Sequence, residues 1–153
     1  MSELAEHSQF RLFRFRVPGQ TCDFALPVQW TAGVARIPSV TRIPLVPPSI
    51  LGVGRWLDQP ISILDLGIIV KTDSVIARTP ADDGLYLIVR EPTGRGLVGW
   101  LIAPGAETAL VMPKMPAALM PPDIRRHVVY AAISIEDEPV VILNPAVLLA
   151  NVI

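Results

Sequence analysis

Apolar residues along this chain come in short runs whose spacing is that of strands rather than helices. Phe13 and Phe15 alternate with Arg14 and Arg16, which is the period of a strand that buries one face. Glycine and proline end most of the runs. The 16 prolines leave little room for long helices, because proline interrupts helix interiors. The pattern therefore predicts an all-β domain.

The bounded runs predict strands at residues 10–17, 21–26, 39–43, 50–56, 60–66, 85–91, 96–102, 106–112, 128–135 and 140–143. Since these short strands are too many for a single five-stranded barrel, we expect two packed β-barrels. Residues 1–9 lack the basic start and apolar run of a secretory signal. We therefore expect a flexible tail there, followed by one domain over residues 10–153 made of two barrel subdomains.

The connections carry their own signals. Pro27 and Gly33 suggest a helical turn at 28–35, whereas polar residues predict a loop at 71–83. Turn residues predict a reversal at 92–95, and a run rich in proline and methionine at 113–122 predicts a connection between the barrels.

A short helix is expected at the C-terminus. Asn144 supplies its cap and Pro145 its first helical position. Val147, Leu148 and Ile153 would then pack inward from this helix.

Composition sets the class of protein and excludes several partners. With 51% hydrophobic and 18% charged residues, the chain should fold. A net charge of −1 and 13 scattered Lys and Arg residues give no basic footprint for nucleic acid. The uncharged stretch at 139–153 is shorter than the roughly 20 apolar residues that span a bilayer, so no membrane insertion is expected. A single cysteine excludes an internal disulfide and fits a reducing cytoplasm.

Residues that could carry chemistry are few and scattered. His7 and His127 lack the spacing of a metal site, and Cys22 is expected to be a half-buried strand thiol. Asp65 ends an apolar strand, where the expected role is to accept backbone N–H bonds rather than to act as a general acid or base. No nucleophile, base and oxyanion site come together, so we predict no enzyme, cofactor or metal site.

The three tryptophans are better leads to function, because a protein can also act by presenting large side chains on a surface. Trp100 lies in the apolar run LVGWLI, where filling the core is expected. Trp56 stands between Arg55 and Leu57 at a strand corner, a setting in which Arg and Trp often form interface hot spots. Its role stays open between interface and core.

A longer segment, residues 40–66, has Val-Thr-Arg-Ile, Pro, Ile, Gly-Val and a closing Ile-Leu-Asp-Leu in that order and almost without gaps. Together with FRLFRFRV at 10–17, Leu-Val-Gly at 97–99 and Val-Ile-Leu-Asn at 141–144, it resembles the CheW-like family of bacterial chemotaxis coupling proteins. The resemblance implies two intertwined SH3-like five-stranded barrels with a short C-terminal helix. It also implies a cytoplasmic scaffold without cofactor that bridges a chemoreceptor tip and the regulatory domain of a histidine kinase.

Three positions depart from the family pattern. Leu57 stands where the family has an arginine linked with receptor and kinase coupling, Trp30 replaces a glutamate, and Ala103 replaces an aspartate. These changes exchange charged contacts for apolar ones, which should alter partner choice more than fold.

The resemblance also implies a docking surface. A groove between the barrels would receive a receptor cytoplasmic helix through apolar anchors. The residues that match the family's interaction segments are Val28, Trp30, Thr31, Arg42, Arg55, Trp56 and Leu57.

Three functions remain in view. The first is a coupling adaptor in chemotaxis or a related motility or pilus pathway, located at receptor arrays. The second is a divergent CheW-like interaction module of another signalling complex, which Trp30 and Leu57 favour. The third is an enzyme or small-ligand barrel, which a pocket joining Asp65, His127 and Arg42 would favour.

Overall fold

The computed structural model describes residues 10–20, 22–70, 84–91, 96–105, 107–111 and 117–150. Within these ranges the strands are β1 (Phe10–Phe15), β2 (Asp23–Pro27), β3 (Thr31–Ile37), β4 (Ile50–Trp56), β5 (Gln59–Leu64), β6 (Gly84–Arg90), β7 (Leu97–Leu101), β8 (Glu107–Val111), β9 (Val129–Ile135) and β10 (Glu138–Leu143). The helices are α1 (Leu66–Val70) and α2 (Pro145–Ala150), and short 3₁₀ turns cover Val28–Trp30 and Arg126–Val128. The fold is mostly β, as the alternation predicts.

The strands form two five-stranded sheets with the same pairing pattern. Sheet A has the order β8-β1-β2-β10-β9, and sheet B has the order β3-β6-β7-β5-β4. Each sheet contains one parallel pairing, β2 with β10 or β7 with β5, and its other neighbours are antiparallel. Sheet A thus joins the first hairpin to the last strands, so the two sheets are interleaved along the chain.

Buried side chains lie on both faces of each sheet and form three apolar layers. Neighbouring residues alternate between layers: Ile63 belongs to one and Leu64 to another. The central layer, between the sheets, includes Phe15, Phe24, Leu64, Leu87, Trp100 and Val141. The layer on the far face of sheet A includes Leu12, Ala25, Val140 and Ile142, and that of sheet B includes Ile37, Ile61, Ile63, Tyr86 and Ile88.

Two hairpins at corresponding places in the sheets share a sequence pattern. The β4–β5 hairpin turns at Leu57 and Asp58, with φ of 49° and 65°, and the β9–β10 hairpin turns at Glu136 and Asp137, with φ of 51° and 65°. Positive φ at both central residues is typical of a type I′ turn. Each turn is followed by Gln-Pro or Glu-Pro and by a strand that ends in Ile-Leu-Asp or Ile-Leu-Asn. The repeat becomes evident once the two turns are compared in the structure.

Each repeat ends in a capped helix. The backbone N–H of Ala146 donates to Oδ1 of Asn144 at 3.2 Å, so the cap expected at the C-terminal helix is confirmed. Asp65 has the same role before α1, because its Oδ1 accepts the N–H of Gly67 at 3.0 Å. Leu148 is fully buried, as expected, whereas Ile153 lies outside the described residues.

Two sequence predictions before β4 were wrong. The helical turn expected at 28–35 is only a 3₁₀ turn at Val28–Trp30, after which β3 begins. The strand expected at 39–43 is reduced to one bridge between Thr41 and Val53. The long ladder of β3 with β6 satisfies the backbone of residues 31–37, and this tertiary pairing overrides a weak local preference. The regions 71–83, 92–95 and 113–116 lie outside the described residues.

Gly52 permits the β-bridge that links residues 39–43 to β4. Thr41 and Val53 exchange backbone hydrogen bonds, each 2.8 Å from N to O. A Cβ on Gly52 would overlap the carbonyl group of Thr41, and the φ of 155° already disfavours a side chain. We expect Gly52→Ala to lower the free energy of unfolding by about 1–3 kcal/mol, measured by urea titration. Gly96→Ala, which has open space around its Cβ, is the control; equal effects of both changes would contradict this explanation.

Tyr86 provides a test of the outer layer of sheet B. Its side chain is fully buried, and its hydroxyl has no hydrogen-bond partner among the described residues. Burial raises the pKa of Tyr86 above its ordinary 10.0, because the phenolate is poorly solvated there. As pH rises, the unfolded chain then loses this proton at a lower pH than the folded protein does. The contribution of Tyr86 to the free energy of unfolding is therefore fully present below pH ~10 and is lost as pH rises further.

We expect Tyr86→Phe to leave the free energy of unfolding at about pH 8 nearly unchanged and to reduce its loss at about pH 11. Urea titrations at the two pH values measure both effects. Tyr130→Phe, at a residue that is 60% exposed, should behave like the unmodified protein. A clear destabilisation by Tyr86→Phe at pH ~8 would contradict an unpaired hydroxyl.

Candidate functional site

The first group of expected interface residues lies in the turn between β2 and β3. Val28 and Trp30 belong to the 3₁₀ turn, and Thr31 begins the next strand. The hydroxyl Oγ1 of Thr31 donates to the carbonyl oxygen of Val28 at 2.8 Å, which fixes the turn. Trp30 is half-buried and packs against the central layer. This group therefore combines core packing with a partly exposed edge.

The second group is the β4–β5 turn, where Trp56 pairs with Gln59 across a two-residue loop. Arg55 is exposed, and Leu57 is 72% exposed at the tip of the hairpin. Trp56 is half-buried and packs against the outer layer of sheet B. Trp56 thus contributes to the core and remains partly exposed, and its role in an interface stays a prediction.

The two groups lie at the same end of sheet B. A Cβ built on Gly33 would lie 3.5 Å from Cζ2 of Trp56, so the tryptophan ring covers the bare backbone of β3. Thr31 is only two residues before Gly33 on that strand. Trp56 is therefore the side chain that connects the β4–β5 turn to the start of β3.

Arg42 lies apart from the turn at 55–57. Thr41 pairs antiparallel with Val53, so the chain at Arg42 runs toward Gly52 and away from Arg55. Arg55 lies three steps along the strand from Gly52, or about 10 Å. Arg42 is exposed, but the fold does not bring it into the patch around Trp56.

The residues considered for chemical roles lie in the core, at a helix cap or at the surface. Trp100 is fully buried and Cys22 is buried, so the core role expected of Trp100 is confirmed. Asp65 is 2% exposed and caps α1, whereas His127 is exposed and lines a cleft that contains neither Asp65 nor Arg42. The convergence that would favour an enzyme is therefore not found among the described residues.

Among the residues described, no three His, Cys, Asp or Glu side chains are grouped to hold a metal ion. Over that same part, none of the helices has the length and apolar character needed to cross a bilayer.

An ion-pair network that the sequence did not predict links the β1–β2 hairpin of sheet A to β10. Nε of Arg14 lies 2.7 Å from Oδ2 of Asp23, and Nη2 of Arg14 lies 2.8 Å from Oε2 of Glu138. Nε of Arg16 lies 2.8 Å from Oδ1 of Asp23. Alternation had placed both arginines on one face, but the contact with Glu138 depends on the parallel pairing of β2 with β10, which no local pattern reveals.

Exposed apolar side chains also mark surfaces that the sequence analysis did not single out. Leu45 is fully exposed with a φ of 64°, and Leu119 is 93% exposed. Isolated surface leucines are common. Of these three leucines, only Leu57 directly follows a tryptophan in the chain, with Arg55 two residues before it.

Comparisons with known proteins agree on the family. The model of the CheW-like domain matches residues 11–152. A solved structure, described as the scaffolding protein TtCheW from Thermoanaerobacter tengcongensis, is similar with a TM-score of 0.73 and 18% sequence identity. The similarity covers 92% of this chain and 87% of that one, and at this identity it shows the shared fold. Among curated protein sequences, none gives a significant match.

The left-handed backbone at Leu57 can be tested for its cost in stability. A left-handed backbone costs an L-residue such as leucine roughly 1–2 kcal/mol, and asparagine adopts it more readily. We expect Leu57→Asn to raise the free energy of unfolding by about 0.5–1 kcal/mol, measured by urea titration. Glu136→Asn is the matched control at the same position of the second turn, where φ is 51°. If only Glu136→Asn stabilises, Leu57 makes packing contacts that its 72% exposure does not suggest.

Proposed function

We propose, because this chain belongs to the CheW-like domain family, that it is a non-catalytic adaptor that couples chemoreceptors to a CheA-type histidine kinase. The observation that carries the proposal is the extent of the family match, residues 11–152, which takes in strands of both sheets. The pathway would be chemotaxis or a related motility or pilus pathway. Its site of action would be the cytoplasmic side of receptor arrays.

We further propose that each sheet closes into an SH3-like barrel. Two features support closure of sheet B: an apolar layer on its far face, and the Trp56 ring that covers Gly33 between the edge strands β4 and β3. A barrel protects the edges of a sheet from unwanted pairing. Rigid barrels would hold the docking residues in fixed positions, which lowers the entropy lost on binding.

The docking surface would consist of the seven residues named from the sequence. Trp56 and Leu57 would supply apolar anchors, because large side chains held by a rigid turn are typical hot spots. Arg55 would contribute a charged contact at the rim, where it guides the encounter more than it strengthens the complex. Val28, Trp30 and Thr31 would extend the surface along the start of β3, and Arg42 would contact only a larger partner.

A second candidate is a CheW-like module of another signalling complex. The specific observation in its favour is Leu57, which presents an apolar side chain where the family pattern has an arginine. Exchange of a charged contact for an apolar one changes the set of partners that bind without a penalty. Under this alternative the fold and surface are the same, but the kinase and receptor are not the partners.

Purified protein should be tested against the regulatory domain of a CheA-type kinase and against a receptor cytoplasmic fragment from the same cell. We expect both to bind, and we expect the double change Trp56→Ala with Leu57→Ala to weaken binding at least about tenfold, since hot spots contribute about 2 kcal/mol or more. Leu119→Ala, at an exposed leucine elsewhere, is the control.

The outcomes separate the candidates. Binding of neither partner would favour the alternative module. Unchanged binding by the double variant would exclude this surface, even if coupling itself is confirmed. Circular dichroism and urea titration of each variant show whether a loss of binding comes from a loss of fold.

A further inference from the structure

A cleft of about 180 Å³ lies where segments associated with the two sheets meet. One wall comes from Pro48, Ser49 and helix α1, which flank the β4–β5 hairpin of sheet B. The other comes from Arg125, His127 and Val128, which precede β9 of sheet A. The cleft contains none of the residues assigned to the coupling surface, so it is a separate feature.

Backbone hydrogen bonds hold both walls in place. The N–H of Arg125 donates to the carbonyl oxygen of Val70 at 2.7 Å, which ties the two walls together. The N–H of Asp65 donates to the oxygen of Ser49 at 2.8 Å, and that of Asn144 to the oxygen of Val128 at 2.9 Å. The cleft is therefore formed before any partner arrives, and binding costs little reorganisation.

The lining of the cleft has an apolar floor. Ile69 and Val128 are buried at its base, and Ile68 and Pro48 are more accessible. Its volume is below the ~300–1,000 Å³ of ordinary small-molecule sites. It has room for one large apolar side chain rather than for a cofactor.

The rim is basic. Arg125 and His127 line the cleft, and exposed Arg126 lies between them in the chain. Asp123 is the acidic residue of the same segment, and Asp65 is buried and engaged with Gly67. A partner that inserts an apolar side chain here would therefore meet more positive than negative charge around it.

We propose that this cleft docks a peptide segment of a partner protein in which a large apolar residue is flanked by acidic residues. The apolar side chain occupies the floor formed by Ile68, Ile69 and Val128, and the carboxylates face Arg125, Arg126 and His127. Complementary charge argues for this occupant, since apolar burial gives affinity and charge gives orientation. A nucleic acid fits less well, because the floor is apolar and the chain carries a net charge of −1. The proposal does not depend on the coupling function.

The test uses the full-length, ¹⁵N-labelled protein and an acetylated, amidated peptide, Glu-Glu-Phe-Glu-Glu. We expect saturable amide shifts confined to residue 49 and to residues 66–70 and 125–128. A peptide with alanine for phenylalanine should bind at least about fivefold more weakly, and one with lysines for glutamates should give no shifts.

Two protein variants test the two parts of the site. Arg126→Glu should weaken the peptide about tenfold by reversing the charge on the rim, whereas Arg90→Glu, at an exposed residue of β6, should leave binding unchanged. Ile68→Ala should weaken the phenylalanine peptide while leaving the overall spectrum intact.

The proposal is overturned if no shifts occur at millimolar peptide, if they fall elsewhere, or if the lysine peptide binds as well. It is also overturned if a short single-stranded oligonucleotide gives the same shifts more strongly. Shifts of the cleft residues on simple dilution, without peptide, would show instead that a second copy of the chain occupies it.

Discussion

The central apolar layer is the constraint on which the rest of the structure depends. Phe15 of sheet A lies against Trp100 of sheet B, with ring centroids 6.3 Å apart, and both side chains are buried. Because each aromatic side chain removes ~150–250 Å² from water, this layer fixes how the two sheets meet. The cleft near α1 and the position of Trp30 against the core follow from that meeting.

The parallel pairing of β2 with β10 makes such a layer possible. It joins the first hairpin of the chain to its last strands, so sheet A cannot form until distant segments come together. The same pairing brings Glu138 to Arg14, which already contacts Asp23. A nearly buried guanidinium needs such partners, because an unpaired charge there would be costly. Fold topology and local electrostatics are thus coupled across these three strands.

Exposed apolar residues in unfavourable backbone conformations stand out against this well-packed interior. Leu57 has a left-handed backbone conformation at a hairpin tip, and its side chain is largely exposed. The equivalent turn of sheet A has a charged residue there, so the turn geometry itself does not require leucine. Local strain that is tolerated on a surface is a reason to look for function. The neighbouring Trp56 rests on Gly33 and gives the turn a rigid support.

The sequence by itself determined the local features of this protein. The alternation in β1 placed Phe15 inside and Arg16 outside, and Asn144 with Pro145 set the start of α2, because such signals act over a few residues. The residues of the docking surface were also named from the sequence, because the order and spacing of short segments resemble those of the family. That surface remains a proposal.

Tertiary structure decided the features that depend on long-range contact. Residues 31–37 form a strand because the ladder with β6 outweighs their local preference. The bridge between Thr41 and Val53 directs Arg42 away from Arg55. Tertiary structure also paired Arg14 with Glu138 and placed Ile69 and His127 in the lining of one cleft. These residues are far apart in the chain, and only the folding of two interleaved sheets around one apolar layer brings them together.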